Sequence, residues 1–156
     1  MGTRFDKMHG LGNDFVILDA RAAPVNITPT LAKALADRHT GIGCDQLILL
    51  EPSNVADLKM RIWNQDGGEV QSCGNASRCV VALTGAKTME TGGGIVTGGG
   101  TGDDVEVQLP APKFGWGTRP EMAVDVEFNW LCGMVLAGNG SPMTTLPGPT
   151  RRVRGS

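Results

Sequence analysis

Tyrosine is absent from this chain, and aromatic residues make up only 4% of it, so its core has to be built from small aliphatic side chains and is lightly packed. No apolar run approaches the roughly 18 residues that cross a bilayer, and the first ten residues, MGTRFDKMHG, lack the apolar centre of a signal peptide. A cytoplasmic protein without a membrane partner is the expectation. Charge is nearly balanced at a net -2, which gives no reason to expect a nucleic-acid partner; the terminal RRVR run reads as a solvated tail. Cysteine is scarce as well. The four, at 44, 73, 79 and 132, lack the close pairing of zinc ligands, and cytosolic disulfides are rare, so neither a metal site nor a disulfide framework is expected. Length allows one ordinary domain or two very small ones.

What is present is glycine and alternating short apolar runs. Arg4 to His9 and Asp14 to Asp19 read as two strands joined through the GLGN turn as a hairpin. Thr28 and Pro29 read as the N-cap and first residue of a helix to about Arg38, with Leu31, Ala34 and Leu35 on its apolar face and Gly41 as the stop. Asp45 to Leu50 and Leu58 to Trp63 have strand character, and Asp66, Gly67 and Gly68 form the turn that leads to Cys73. Residues 91–102 hold seven glycines without a phosphate-binding pattern, which fits loose turns around a short strand and no nucleotide cofactor. Residues 139–156, rich in Gly, Pro, Ser and Thr, read as a disordered tail.

The segment NQDGGEVQSCGNASRC, Asn64 to Cys79, carries the chemistry. It sets Cys73 between a turn and the start of a short helix, so unpaired backbone N–H groups should converge just past the sulfur. Such a helix mouth binds carboxylates and lowers a thiol's pKa. A thiol beside an anion nest suits proton transfer at the carbon next to an amino acid's carboxylate. By residue statistics alone a buried structural cysteine is the commoner reading. Cys79, followed by Val80 and Val81 and on a different helix face from Cys73, reads as core.

Together with KMHGLGNDFVILD (Lys7 to Asp19) and GIGCDQLILLE (Gly41 to Glu51), that segment resembles the diaminopimelate epimerases, which invert an amino-acid centre without pyridoxal phosphate. The three blocks come in the family's order and spacing. The likeness is close over residues 1–83 and weaker over 84–138. It implies an α+β fold in which a mixed sheet wraps a central helix, with 1–138 forming one lobe of two and substrate held between lobes. The implied activity interconverts LL- and meso-diaminopimelate, a lysine and cell-wall precursor, through two cysteines on opposite faces and without a cofactor. On this likeness Cys73 is the first base, Gly74 and Asn75 offer amides to the α-carboxylate, and Asn13, Gln46 and Asn64 bind substrate. Without it, turn formation is the simpler reading of the two asparagines and a sheet-edge role that of Gln46. Asp45 and Asp66 read as turn-stabilising, and His9 as structural.

The family's second catalytic block, with its Glu-Arg pair before a Cys-Gly-Thr or Cys-Gly-Ser helix start, has no counterpart here. Cys132, in FNWLCGMVLAG, reads as part of an apolar strand, and Asn139 matches a family ligand motif only faintly. Three expectations follow: an epimerase completed in a homodimer or a longer enzyme, an amino-acid-binding half-site, or an inactive truncated lobe.

Overall fold

The computed structural model describes residues 3–101 and 104–110 and the strand backbones at 143–144 and 153–155. The Lys7 to Asp19 block folds as the expected hairpin. β1 (Phe5–Gly10) pairs antiparallel with β2 (Asn13–Asp19), with Gly10 opposite Asn13. The two-residue turn holds Leu11 at φ 55 and Gly12 at φ 85, so leucine as well as glycine occupies the left-handed region that this kind of hairpin turn demands.

Helix α1 (Pro29–Ala36) begins as the sequence indicated: Thr28 Oγ1 accepts from the Leu31 amide at 3.2 Å and proline takes the first helical position. It ends two residues before the expected Arg38, at an Asp37 cap. Its inner face also differs from the expected one. Ala32 and Ala36 are buried, Leu35 is half-buried, and Leu31 and Ala34 face solvent. The small Ala32 and Ala36 let the helix lie close against Leu47, Leu49 and Trp63, which bulkier Leu31 would hold off.

β3 (Gln46–Glu51) lies parallel to β2 and antiparallel to β4 (Leu58–Asn64). A tight turn follows β4 and leads into the short β5 (Glu69–Val70). Within it the Gly67 amide donates to the Asn64 carbonyl at 3.0 Å and the Gly68 amide to Asp66 Oδ1 at 2.7 Å. Gly67 has φ 87, and a Cβ there would stand 2.3 Å from the Pro29 carbonyl oxygen, so only glycine fits the turn against the start of α1.

Helix α2 (Gly74–Thr84) runs from an N-cap at Cys73 to a left-handed Gly85. The glycine-rich segment beyond it forms turns around a short strand, as expected: β7 (Gly94–Gly99) pairs antiparallel across the Gly92–Gly93 turn with β6 (Thr88–Thr91), which is itself parallel to β4. β8 (Glu106–Gln108) pairs with β7. Within the stretch read as a tail, β9 (Met143–Thr144) pairs with β8 and β10 (Val153–Gly155) with β1; its other residues lie outside the described ones.

Among the described residues ten strands form one mixed sheet in the order β10-β1-β2-β3-β4-β6-β7-β8-β9, with β5 beside β4. Its alternating side chains divide between two cores. Phe15, Ile17, Ile48, Leu50, Met60 and Ile62 face α2, whereas Val16, Leu18, Leu47, Leu49 and Trp63 face α1. Helix α2 touches β1 on one side and β7 and β8, far along the sheet order, on the other. The sheet therefore curls around α2, whose residues Ala76 to Val81 are all buried. This is the expected mixed sheet wrapped around a central helix.

Candidate active site

The polar candidates continue the apolar rows that face α2. Along β2 the row runs Ile17, Phe15, Asn13; along β3, Leu50, Ile48, Gln46; along β4, Met60, Ile62, Asn64. β2 and β3 are parallel and β4 runs against them, so the start of the first two strands and the end of the third lie at one edge. The N-terminus of α2 opens at that edge and brings Cys73, Gly74 and Asn75. All six candidate residues are half-buried.

Two contacts knit them together. The Cys73 thiol donates to Asn13 Oδ1 at 3.9 Å, and Gln46 Nε2 donates to Asn64 Oδ1 at 2.8 Å. Gln46 Oε1 is left buried with no hydrogen-bond partner. This corner thus holds an acceptor with its capacity unused, and the Asn64 amide nitrogen faces away from the oxygen Gln46 has engaged.

Cys73 is the N-cap residue, and its side chain makes no capping bond to the helix. The Ala76 and Asn75 amides lie close enough to favour the sulfur's charged form without closing such a bond, while the Ser77 amide and hydroxyl both donate to the Cys73 carbonyl at 2.9 Å. The expectation of a lowered thiol pKa is corrected here. Burial pushes the Cys73 thiol up, and the two amides only partly oppose it. The helix mouth is present, but the half-buried Cys73 packs against the core that surrounds α2. Cys79 is fully buried, as the sequence indicated, and burial carries its thiol up to about 12. Cys44 is also buried, and the three described cysteines are free.

Sequence reasoning missed an ionic cluster directly behind Asn13. Asn13 Nδ2 donates to Asp45 Oδ2 at 3.0 Å, and the Asp14 amide donates to the same oxygen at 3.0 Å. Arg38 spans both carboxylates, at 2.7 Å from Asp14 Oδ1 and 2.8 Å from Asp45 Oδ1. Lys7 Nζ lies 2.8 Å from Asp14 Oδ2 and donates to the Gly43 carbonyl. Burial would raise the Asp14 carboxyl, yet bonds from Arg38, Lys7 and Asp45 hold it well below the usual carboxylate range. Asp45 is thus more than a turn residue, and Arg38 more than the last residue of a helix. The available signal was the clustering of Lys7, Asp14 and Asp45 inside the motif blocks. His9 faces Asp14 across the β1–β2 pair, with Nδ1 buried and unpartnered. Cys132 and Asn139 lie outside the described residues. Among the described residues no three His, Cys, Asp or Glu side chains group to hold a metal, and no helix is long and apolar enough to cross a membrane.

The curled sheet around one helix is shared with solved structures of low sequence similarity. A probable proline racemase from Agrobacterium radiobacter superposes with a TM-score of 0.52 at 18% identity, over 69% of this chain and 41% of that one. A PhzF-family phenazine biosynthesis protein from Bacillus anthracis gives 0.50 at 18% identity, over 69% and 40%. These likenesses bear on the fold. Sequence goes further. A diaminopimelate epimerase from Rhizorhabdus wittichii is 59% identical over 122 residues, covering 77% of this chain and 44% of the relative. One from Sphingopyxis alaskensis is 58% identical over 121 residues, covering 77% and 45%. One from Gluconobacter oxydans is 40% identical over 157 residues, covering 98% and 61%. The chain thus spans under half the length of the first two. Residues 5–111, which hold Cys73, Asn13, Gln46 and Asn64, match the family described as diaminopimelate epimerase, and the chain belongs to that family.

Proposed function

We propose that this chain is a lobe of a cofactor-independent diaminopimelate epimerase and that Cys73 is one of its two proton-transfer groups. The observation that carries the reading is the meeting of a half-buried thiol, a helix N-terminus and three carboxamides at one edge of the sheet. Substrate sits at that edge with its α-carboxylate on the Gly74 and Asn75 amides, where the helix N-terminus favours negative charge. Asn64 supplies an amide donor, Gln46 Oε1 an acceptor for an ammonium group, and Asn13 a further contact beside the sulfur.

In the forward direction the Cys73 thiolate takes the α-proton. The C–H bond's electron pair moves into the carboxylate, which becomes enediolate-like, and the amides hold the added charge. A thiol on the other face then gives its proton to carbon, and the roles exchange in reverse. In the open lobe burial keeps Cys73 protonated; an ammonium group brought close by substrate favours the thiolate. No electron-sink cofactor is required by this route. The reading places the chain in the cytoplasm, where thiols stay reduced.

Among the described residues one thiol faces the site, and inversion requires a second group on the opposite face. A second copy in a homodimer, or a further lobe, supplies it. A half-site reading is favoured by the same observation: one base alone exchanges the α-hydrogen with solvent and retains configuration. Replacing Cys73 by serine tests the assignment. Epimerisation and exchange should collapse while calorimetric affinity for LL-diaminopimelate persists; unchanged turnover would remove Cys73 from the mechanism.

A further inference from the structure

The carboxamide of Asn13 is oriented by what lies behind it. A carboxylate can only accept hydrogen bonds, so the group that Asn13 turns toward Asp45 has to be its NH2. Asn13 Nδ2 meets Asp45 Oδ2 at 3.0 Å, and this leaves Oδ1 toward the Cys73 sulfur at 3.9 Å. Asp45 is itself fixed: its Oδ1 takes the Arg38 guanidinium at 2.8 Å, its Oδ2 takes the Asp14 amide, and its own amide donates to Asp14 Oδ1 at 2.9 Å. Nothing in that arrangement lets the Asn13 amide turn over without losing a charge-assisted bond.

We propose that Asp45 is a positioning residue for the proton-transfer cysteine: by holding the Asn13 NH2, it presents an oxygen to the Cys73 thiol and keeps the proton on the sulfur. The oxygen accepts from S–H but would repel a thiolate, whereas a flipped amide would donate to one. The device acts only on the neighbouring side chain, since Asp45 does not touch the sulfur. Its catalytic meaning rests on the proton-transfer role proposed for Cys73; its geometry does not.

The charges around the sulfur are few. On α2 the ionisable neighbours are Cys79 and Arg78, and on β1 Asp6 shares the inward Met8 row by alternation, while Lys7 and His9 lie on the opposite row. β7 carries no titratable side chain, and on β8 Glu106 lies on the row opposite inward Val105 and Val107. The ionic set behind Asn13 comprises Lys7, Asp14, Arg38 and Asp45.

The test is the pH profile of Cys73 alkylation by iodoacetamide in the whole chain, read by mass spectrometry on the tryptic peptide ending at Arg78, which separates Cys73 from Cys79. Asp45→Asn lets Asn13 turn its NH2 to the sulfur, and the midpoint should fall by about half a pH unit or more, roughly threefold in thiolate near neutrality. Removing the Asp45 charge also lowers the midpoint by simple loss of Coulomb repulsion toward the thiolate, so the same change is made in an Asn13→Ala background. There the effect should shrink to that Coulomb part alone, well under half its size. Equal shifts in both backgrounds, or no shift in the first, would overturn the proposal. Asn13→Ala alone should also lower the midpoint, and an unmoved midpoint counts against it even where Asp45→Asn fails to fold. Because alkylation needs no substrate, this outcome is independent of whether Cys73 moves a substrate proton.

Discussion

Gly98 marks the closest approach of β7 to the central helix, and alanine at this position should loosen the lobe. An added Cβ would stand 2.3 Å from Val81 Cγ2 and 3.2 Å from the Ala86 carbonyl oxygen. Ordinary contact begins near 3.4 Å, so strand and helix must part by about 1.1 Å or Val81 must leave its rotamer. A β-branched side chain in a helix has one strongly preferred rotamer, and the Gly98 amide is tied to the Lys87 carbonyl at 2.8 Å, so neither partner yields freely. Overpacking of this kind costs about 1–3 kcal/mol, offset in part by the ~0.4–1 kcal/mol that alanine gains through the unfolded chain. A net loss of about 1–2 kcal/mol corresponds to a thermal midpoint lowered by roughly 2–8 °C at this size. Urea and thermal unfolding of the wild type, Gly98→Ala, Val81→Ala and the double variant measure it. Val81→Ala alone should cost about 2 kcal/mol, yet in its presence alanine at 98 should be nearly neutral, a coupling of about 1 kcal/mol or more. Additive losses, or a raised midpoint for Gly98→Ala, would refute the steric reasoning.

Three further outcomes are expected. The Asp14 carboxyl titrates below its ordinary 3.8 in the folded state, so it contributes stability that is fully present above that value and lost as pH falls below it; the urea midpoint should drop through that acid range, and Asp14→Asn should flatten the drop. Cys79 and Cys44 should be labelled by iodoacetamide in the folded chain more slowly than the half-buried Cys73, and labelling of Cys79 as fast as that of Cys73 would contradict its burial. Gly67→Ala combines a left-handed backbone with a 2.3 Å approach to the Pro29 carbonyl, and a loss smaller than about 1 kcal/mol in urea unfolding would contradict the packing of that turn against α1.

Features of the fold set by neighbouring residues were legible in the sequence. The hairpin around GLGN, the Thr28–Pro29 helix start and the Cys73 N-cap each depend on a few adjacent side chains, and each formed where expected. The six candidate residues also meet, because the two-residue alternation that buries Phe15, Ile48 and Ile62 necessarily places Asn13, Gln46 and Asn64 on the same face. What the chain order hid was set by tertiary contact. The inner face of α1 shifted to Ala32 and Ala36 because the sheet beneath it sets how closely a helix can lie. The direction of the Cys73 shift reversed because burial by distant segments outweighs two local amides. Arg38 was unreadable as a site neighbour, since only the folded sheet brings it against Asp14 and Asp45.

Reduced chain incubated with LL-diaminopimelate in D2O, beside Cys73→Ala, separates the chemistry from the fold. The proposed role for Cys73 predicts deuterium at the α-carbon of the wild-type sample and none with Cys73→Ala, with meso product as well wherever a second copy or lobe completes the site. Deuterium uptake that survives the loss of Cys73, or none from folded wild-type chain with substrate bound, would contradict it.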